Sequence, residues 1–519
     1  MARTFGIFIA LAVSATSALP QSADVSCIPG DASRAGIEFH LKGLGNSCLG
    51  VAGGFSGDAG SFAELSAATG GQLGLGETIE ADAQYGVRLR RVQLGLTKPF
   101  FRARRLEAGF TVYGQRFHYD QARDASILAF SRDIPEFDSF GADNLLKYVS
   151  HSYGGTASLQ YALRRFSHVA LAYGYDVTGV TPLTSSASGY FGDLDFRNAR
   201  GTNELSGIRT GRVILSYVHN TVDHPIEPTR GVRILTSLAI AGVGGDVNTI
   251  EPAIDLKWFH PGLRNRHVIG MHLHGRMLTA YGGQAAPPFD RYYMGGEDEI
   301  RGFPSWTVSP IGYLPSAGTI PVLNADGSQR VFKTFDVNGQ VIYAPATEMI
   351  PVYRPVSIGG DTKVVGNVEY RIPLMRPLTL ALFADAGVDR LSFGSQLRMN
   401  DAVMHNLNSA FPGAGFTNRV LVQSGSQKIR MSSGVELQVL VPKIRTPVRL
   451  YWAYNLLRYE DPCAVAGADL TACTNVKQPF DRSMFQNAAT FENAVALFGT
   501  GTLVREPRSM LRFAIGFSF

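Results

Sequence analysis

Beyond its first 18 residues this 519-residue chain has no apolar run approaching the roughly 18 residues that a bilayer-spanning helix needs. A helical membrane protein is therefore excluded. The chain also lacks a basic block: its formal net charge of +5 is scattered, which gives nucleic acid nothing to bind. No GxSxG elbow or HExxH pair occurs, and no residue constellation points to catalysis, a metal or a cofactor. A soluble propeller should repeat about every 40 to 50 residues, and no such repeat is present. Cysteine is scarce, at four residues. They fall as two near pairs, Cys27 with Cys48 and Cys463 with Cys473, without zinc-ligand spacing. In an oxidising compartment such pairs close as disulfides, and Cys463–Cys473 is expected to do so within a surface loop.

What the chain does have is glycine (57 residues), phenylalanine (31) and tyrosine (20), set in short runs that alternate apolar and polar character. That is the signature of β structure. The N-terminus carries Arg3, an apolar run from Phe5 to Val13 and small residues at Thr16 and Ala18, the pattern of a secretory signal over residues 1–18. Alternating runs of about ten residues predict transmembrane strands. Sixteen are read, near 47–55, 60–68, 74–85, 87–97, 104–116, 152–163, 167–178, 207–219, 229–243, 249–261, 265–280, 362–373, 377–389, 428–440, 446–457 and 508–519. The long connections, near 117–151, 179–206, 281–361, 390–427 and 458–507, all run from an odd to an even strand, and every even-to-odd link is short. Surface loops and periplasmic turns of an outer-membrane barrel sort in this way. The expectation is an all-β, sixteen-stranded antiparallel transmembrane barrel over residues 47–519, preceded by a short periplasmic segment over 19–46.

The last nine residues, Leu511 to Phe519, are apolar at every odd position and end on phenylalanine, which resembles the C-terminal signal of bacterial outer-membrane proteins. The longest loop holds the run Asp290 to Phe303, with Gly295 and Gly296 ahead of Arg301, Gly302 and Phe303. Three further stretches, Asp223–Gly231 (DHPIEPTRG) ahead of that loop and Gly366–Pro373 (GNVEYRIP) and Phe383–Asp389 (FADAGVD) after it, agree in order and spacing. Together these stretches resemble the barrel of BamA/TamA-type outer-membrane assembly factors over about residues 47–519. The resemblance implies a loop folded back into the lumen and a role in inserting or translocating proteins at the outer membrane. It further implies as partners the membrane lipid, unfolded outer-membrane or secreted proteins, and POTRA-bearing or accessory periplasmic subunits. Residues 19–46 are too few for one POTRA domain of about 50 residues.

Alternation alone makes a case for the Arg-Gly-Phe site. In 362–373 it sends Val368, Tyr370 and Ile372 to lipid and Asn367, Glu369 and Arg371 to the lumen; in 377–389 it sends Asp385 inward. Two carboxylates on neighbouring strands then await a guanidinium, whose planar fork suits them. His272 and His274, two apart on one strand, are read as plain lumen residues. A weak seam is expected between the first and last strands, where Gly50, Gly53, Gly54 and Gly516 thin the pairing next to Phe519. Such a seam could open and template an incoming strand by edge pairing. The rival expectation is a passive pore or structural surface protein on the same barrel.

Overall fold

The alternating runs form one antiparallel sheet that curls into a sixteen-stranded barrel. The computed structural model describes residues 34–40, 46–56, 59–99, 105–124, 132–135, 144–198, 201–202, 205–224, 227–264, 266–441, 446–460, 478–499 and 504–515. The signal segment, Cys463, Cys473, Gly516 and Phe519 lie outside these residues. In chain order the strands are β1 (Arg34–His40), β2 (Asn46–Ser56), β3 (Gly60–Gly70), β4 (Thr78–Gly86), β5 (Leu89–Lys98), β6 (Leu106–Asp120), β7 (Lys147–Arg164) and β8 (Ser167–Pro182). There follow β9 (Ile208–Asn220), β10 (Gly231–Ala241), β11 (Thr249–Pro261), β12 (Val268–Met277), β13 (Thr362–Met375), β14 (Leu378–Arg390), β15 (Arg430–Val441), β16 (Thr446–Leu457) and β17 (Ser509–Ile515). β2 to β17 make the barrel, each paired with its sequence neighbour.

Period-two alternation sets the two faces of the wall. Val92, Leu94, Phe110, Val112, Leu171, Leu215, Leu273, Val368, Leu382, Leu450 and Trp452 are exposed large apolar residues on strands spaced around the barrel. In water that band would be a liability; facing lipid it is the surface that holds the barrel in the membrane. Among the described residues no helix is long and apolar enough to cross a membrane. Cys48, on β2, is disulfide-bonded.

Three features depart from the sequence expectation. Residues 34–40, expected in the segment ahead of the barrel, form β1 and pair antiparallel with β2 over Arg34↔Gly54 to His40↔Cys48. β6 and β7 run past their predicted ends, so that Tyr119 stacks on Tyr148 at 4.9 Å between ring centres. The long loop is only partly a plug: Ile311–Pro321 and Thr347–Ser357 pair as a hairpin, and Val331–Phe335 and Val341–Pro345 form an exposed second one. Alternation marks strands equally well in membrane and in water, so it cannot say which part of a loop turns inward.

A hydrophobic core gathers at one set of strand ends. Tyr119, Tyr148, Tyr190, Phe191, Phe196, Phe289, Tyr293 and Trp306 are buried in it, contributed by two loops and the strand ends. Two short helices are built in, α1 (Ser185–Asp193) and α2 (Asp401–Ala410). Each starts on a polar side chain that accepts from a first-turn N–H, Thr184 from Ala187 and Asn400 from Ala402.

Candidate functional site

The site is built by the tongue of loop from Asp290 to Val308. Its two arms are held by reciprocal backbone bonds between Met294 and Val308 (2.8 and 3.0 Å), and its base by another pair between Tyr292 and Gly360 (both 2.8 Å). The tip closes where the Gly296 N–H donates to the Phe303 carbonyl at 2.9 Å and the Gly295 N–H to the Glu299 carboxylate at 3.0 Å. Gly295, Gly296 and Gly302 take φ of +116°, +102° and +97°, a region costly for other residues. A Cβ on Gly302 would sit 2.2 Å from the Asn455 Oδ1. That close approach lets the Gly302 carbonyl accept from the Asn455 Nδ2 at 2.7 Å. Phe303 packs with Met294, Ile300, Val308 and Val365 in a small buried cluster. The motif therefore divides its work: phenylalanine anchors, glycine permits the approach, and arginine is delivered to the wall.

Arg301 is 1% exposed and all three of its guanidinium nitrogens donate to carboxylates. Nε and Nη2 donate to the two oxygens of Asp385, both at 2.7 Å, and its backbone N–H adds a third bond to Oδ2 at 3.0 Å. Nη1 donates to Glu369 at 2.6 Å and to Glu436 at 3.3 Å. The guanidinium also lies over the Phe383 ring, 3.7 Å from its centre. Burial by itself would lower the Arg301 pKa; Asp385 and Glu369 raise it well above the usual arginine value. The structure thus brings Arg301, Asp385 and Glu369 together as the strand parity implied.

Two members of the cluster, Glu436 and Arg449, escaped the sequence reading, and Arg371, placed in the lumen by alternation, had no partner assigned. Arg371 donates to the second oxygen of Glu369 at 2.9 Å, and Arg449 donates to Glu436 at 3.3 Å. Three arginines therefore face three carboxylates, a neutral set inside a low-dielectric wall. Glu436 and Arg449 also occupy lumen positions by alternation, so parity could have nominated them; nothing local separates them from other lumen polar residues. Lys363 pairs with Glu299 beside the tip, and the Asn367 Nδ2 donates to the Glu299 carbonyl at 2.7 Å. Glu297, 4% exposed, sits at the same tip. Burial, reinforced by the adjoining Asp298, pushes its carboxyl up to about 7 against the opposing pull of Arg512 and Arg449. His272 pairs with Asp255 at 2.9 Å, and no group of three metal-ligating side chains occurs among the described residues.

The seam glycines are no part of this cluster. Gly50, Gly53 and Gly54 lie on β2, opposite Glu38, Ala35 and Arg34 of β1. Cα atoms of β2 and β17 come within 8 Å of one another, yet among the described residues no ladder joins them. β17 is instead tied from within: Arg512 grips Asp124 of the loop after β6 with both terminal nitrogens, Nη1 at 2.7 Å from Oδ1.

An Omp85 superfamily domain model matches residues 72–465. Two curated relatives are outer membrane protein assembly factors BamA. That of Nitratidesulfovibrio vulgaris is 31% identical over 23% of this chain and 15% of its own length. That of Neorickettsia risticii is 22% identical over 67% of this chain and 37% of its own. The chain thus spans well under half the length of these relatives. Among solved structures, BamA from Haemophilus ducreyi lacking POTRA domains 1–3 superposes with a TM-score of 0.54 at 15% identity, over 83% of this chain and 73% of that one.

Proposed function

Because the chain belongs to the Omp85 superfamily, we propose that it inserts or translocates proteins at the outer membrane through the seam between β2 and β17. The compartment is the outer membrane, as for the family's barrels. One observation carries the proposed route: every barrel strand is laddered to its sequence neighbours, while β2 and β17 lie close without a ladder among the described residues. In lipid a bare backbone edge is costly, and the β2 edge at this seam is held only by the seven-residue ladder to β1, so it is the place where an incoming strand can most readily gain by pairing. Glycines in β2 weaken the wall at that point. The substrates are unfolded outer-membrane or secreted chains, with periplasmic accessory subunits as delivery partners, and no cofactor is required.

The docked tongue has a supporting role in this reading. By tying β13, β14, β15 and β16 to one arginine cluster it stiffens the wall beside β17, so that opening concentrates at the seam. A passive pore is the less supported alternative, because the loops at one set of strand ends pack into a buried aromatic core and the Arg301 tongue is docked on the wall.

The test is Val51→Cys with Ile515→Cys, the two cysteines linked by a reducible bifunctional reagent long enough to reach past β1, in protein reconstituted into liposomes and offered an unfolded outer-membrane substrate. Substrate folding is read by heat-shifted gel mobility. The linked barrel should stay folded and lose assembly, with reduction restoring it. Assembly at the normal rate in the linked form would sink the lateral route.

A further inference from the structure

The strand β1 gives the seam an occupant. Its seven residues pair with Cys48–Gly54 on the edge of β2 that faces away from β3. The register sets Ala35, Ile37 and Phe39 opposite Gly53, Val51 and Leu49, and Arg34, Glu38 and His40 opposite Gly54, Gly50 and Cys48. Val51 is 49% exposed on the outer face, whereas Cys48, Gly50, Ala52 and Gly54 are buried. By sequence and register, apolar Ala35, Ile37 and Phe39 fall at the lipid-phase positions of β2, and Arg34, Gly36, Glu38 and His40 at the alternate ones. β1 also comes within 8 Å of β16, so it lies across the gap between the two ends of the barrel. An edge left bare in the membrane is expensive, and β1 covers it.

We propose that β1 is a displaceable stand-in for a substrate strand: residues 34–40 hold the substrate-pairing edge of β2 and must leave before an incoming strand can pair there. The inference rests on the seam reading above and adds to it a strand built into the chain that competes for the same edge. The ladder is suited to release. It spans seven residues where the β2–β3 ladder spans eleven and the β7–β8 ladder sixteen. Glycine at three of the seven paired positions of β2 weakens it further. A substrate strand that pairs along the whole of β2 forms the longer ladder and displaces the shorter. The chemistry selected is an extended segment with apolar residues at every second position, running antiparallel to β2. Because β1 is tethered, it acts at an effective concentration of about 1 mM, so a competitor must outmatch it rather than find an open edge.

The probe is a fluorescent peptide of the sequence of residues 34–40, titrated by anisotropy onto detergent-purified full chain and onto a variant lacking residues 34–40. If the peptide's own affinity is about 10 µM, tethered competition weakens its binding to the intact chain roughly one hundredfold relative to the deletion variant. A peptide of the same composition with its alternation scrambled should bind neither. Should the deletion variant fail to fold, the full chain carrying Ile37→Cys and Val51→Cys serves: the pair should cross-link on oxidation. Equal binding to both forms, no binding to a folded deletion variant, or failure of the two cysteines to link would each overturn the proposal. These readouts measure strand pairing and not assembly, so an inactive barrel with a hundredfold difference refutes the assembly reading and leaves β1 at the edge.

Discussion

Removing the Arg301 side chain is the sharpest perturbation of the docked loop. In the wild type three arginines, 301, 371 and 449, balance three carboxylates, Asp385, Glu369 and Glu436. Arg301→Ala leaves that set one negative charge in excess, with all three carboxylates fully buried. The cost of an unpaired buried charge is about 3–5 kcal/mol, and burial at 1% and 0% leaves no solvent to discount it. That corresponds to a docking equilibrium roughly two to three and a half decades weaker. Asp385→Ala errs in the opposite direction, leaving one positive charge in excess. The double variant restores neutrality, so its loss should fall well short of the two single losses added together. Arg301→Lys keeps the charge but loses the fork that meets both Asp385 oxygens, and should rescue in part. Limited proteolysis of the 281–361 loop in folded barrels, paired with urea unfolding followed by gel mobility, reads all four variants. Strictly additive losses for Arg301→Ala and Asp385→Ala would show that the two side chains act independently, and the latch would have to be abandoned.

Further consequences concern the same loop and the topology. Gly302→Ala places a Cβ 2.2 Å from the Asn455 Oδ1 at a φ of +97°, and should cost about 1–3 kcal/mol of barrel stability in the same unfolding assay. Glu297 has its carboxyl raised to about 7 in the docked loop against an ordinary 4.5, so the docked state holds a proton that the free loop releases. Docking is then strongest below the ordinary value and weakens as pH rises to about 7, by roughly 3 kcal/mol at most. Protease sensitivity should increase from about pH 5 to about pH 8, and Glu297→Gln should flatten the profile. For topology, a maleimide that cannot cross the membrane should label Val337→Cys, at the exposed hairpin tip, in intact cells and spare Met375→Cys, at the short turn between β13 and β14; the reverse pattern would invert the orientation.

The strands themselves were written locally. A wall strand has one wet face and one lipid face, so alternation over ten residues reveals both the strand and the lumen side of Glu369 and Asp385. The parity of long and short connections then counts the strands without any contact being known. Parity says nothing, however, about height around the barrel. Whether Glu436 on β15 stands level with Glu369 on β13 depends on the ladder pairings between them, which no single segment contains. Arg512 and Asp124, 388 residues apart, could be matched only once the last strand and the loop after β6 had been brought together by the closing sheet. The seven residues of β1 are too few to mark a spanning strand by alternation, and their role comes from the edge they meet. Sequence by itself determined which residues face the lumen and which face lipid, because that choice is made by the pleat of each strand; the tertiary structure decided which of those residues meet, because register is a property of the whole sheet.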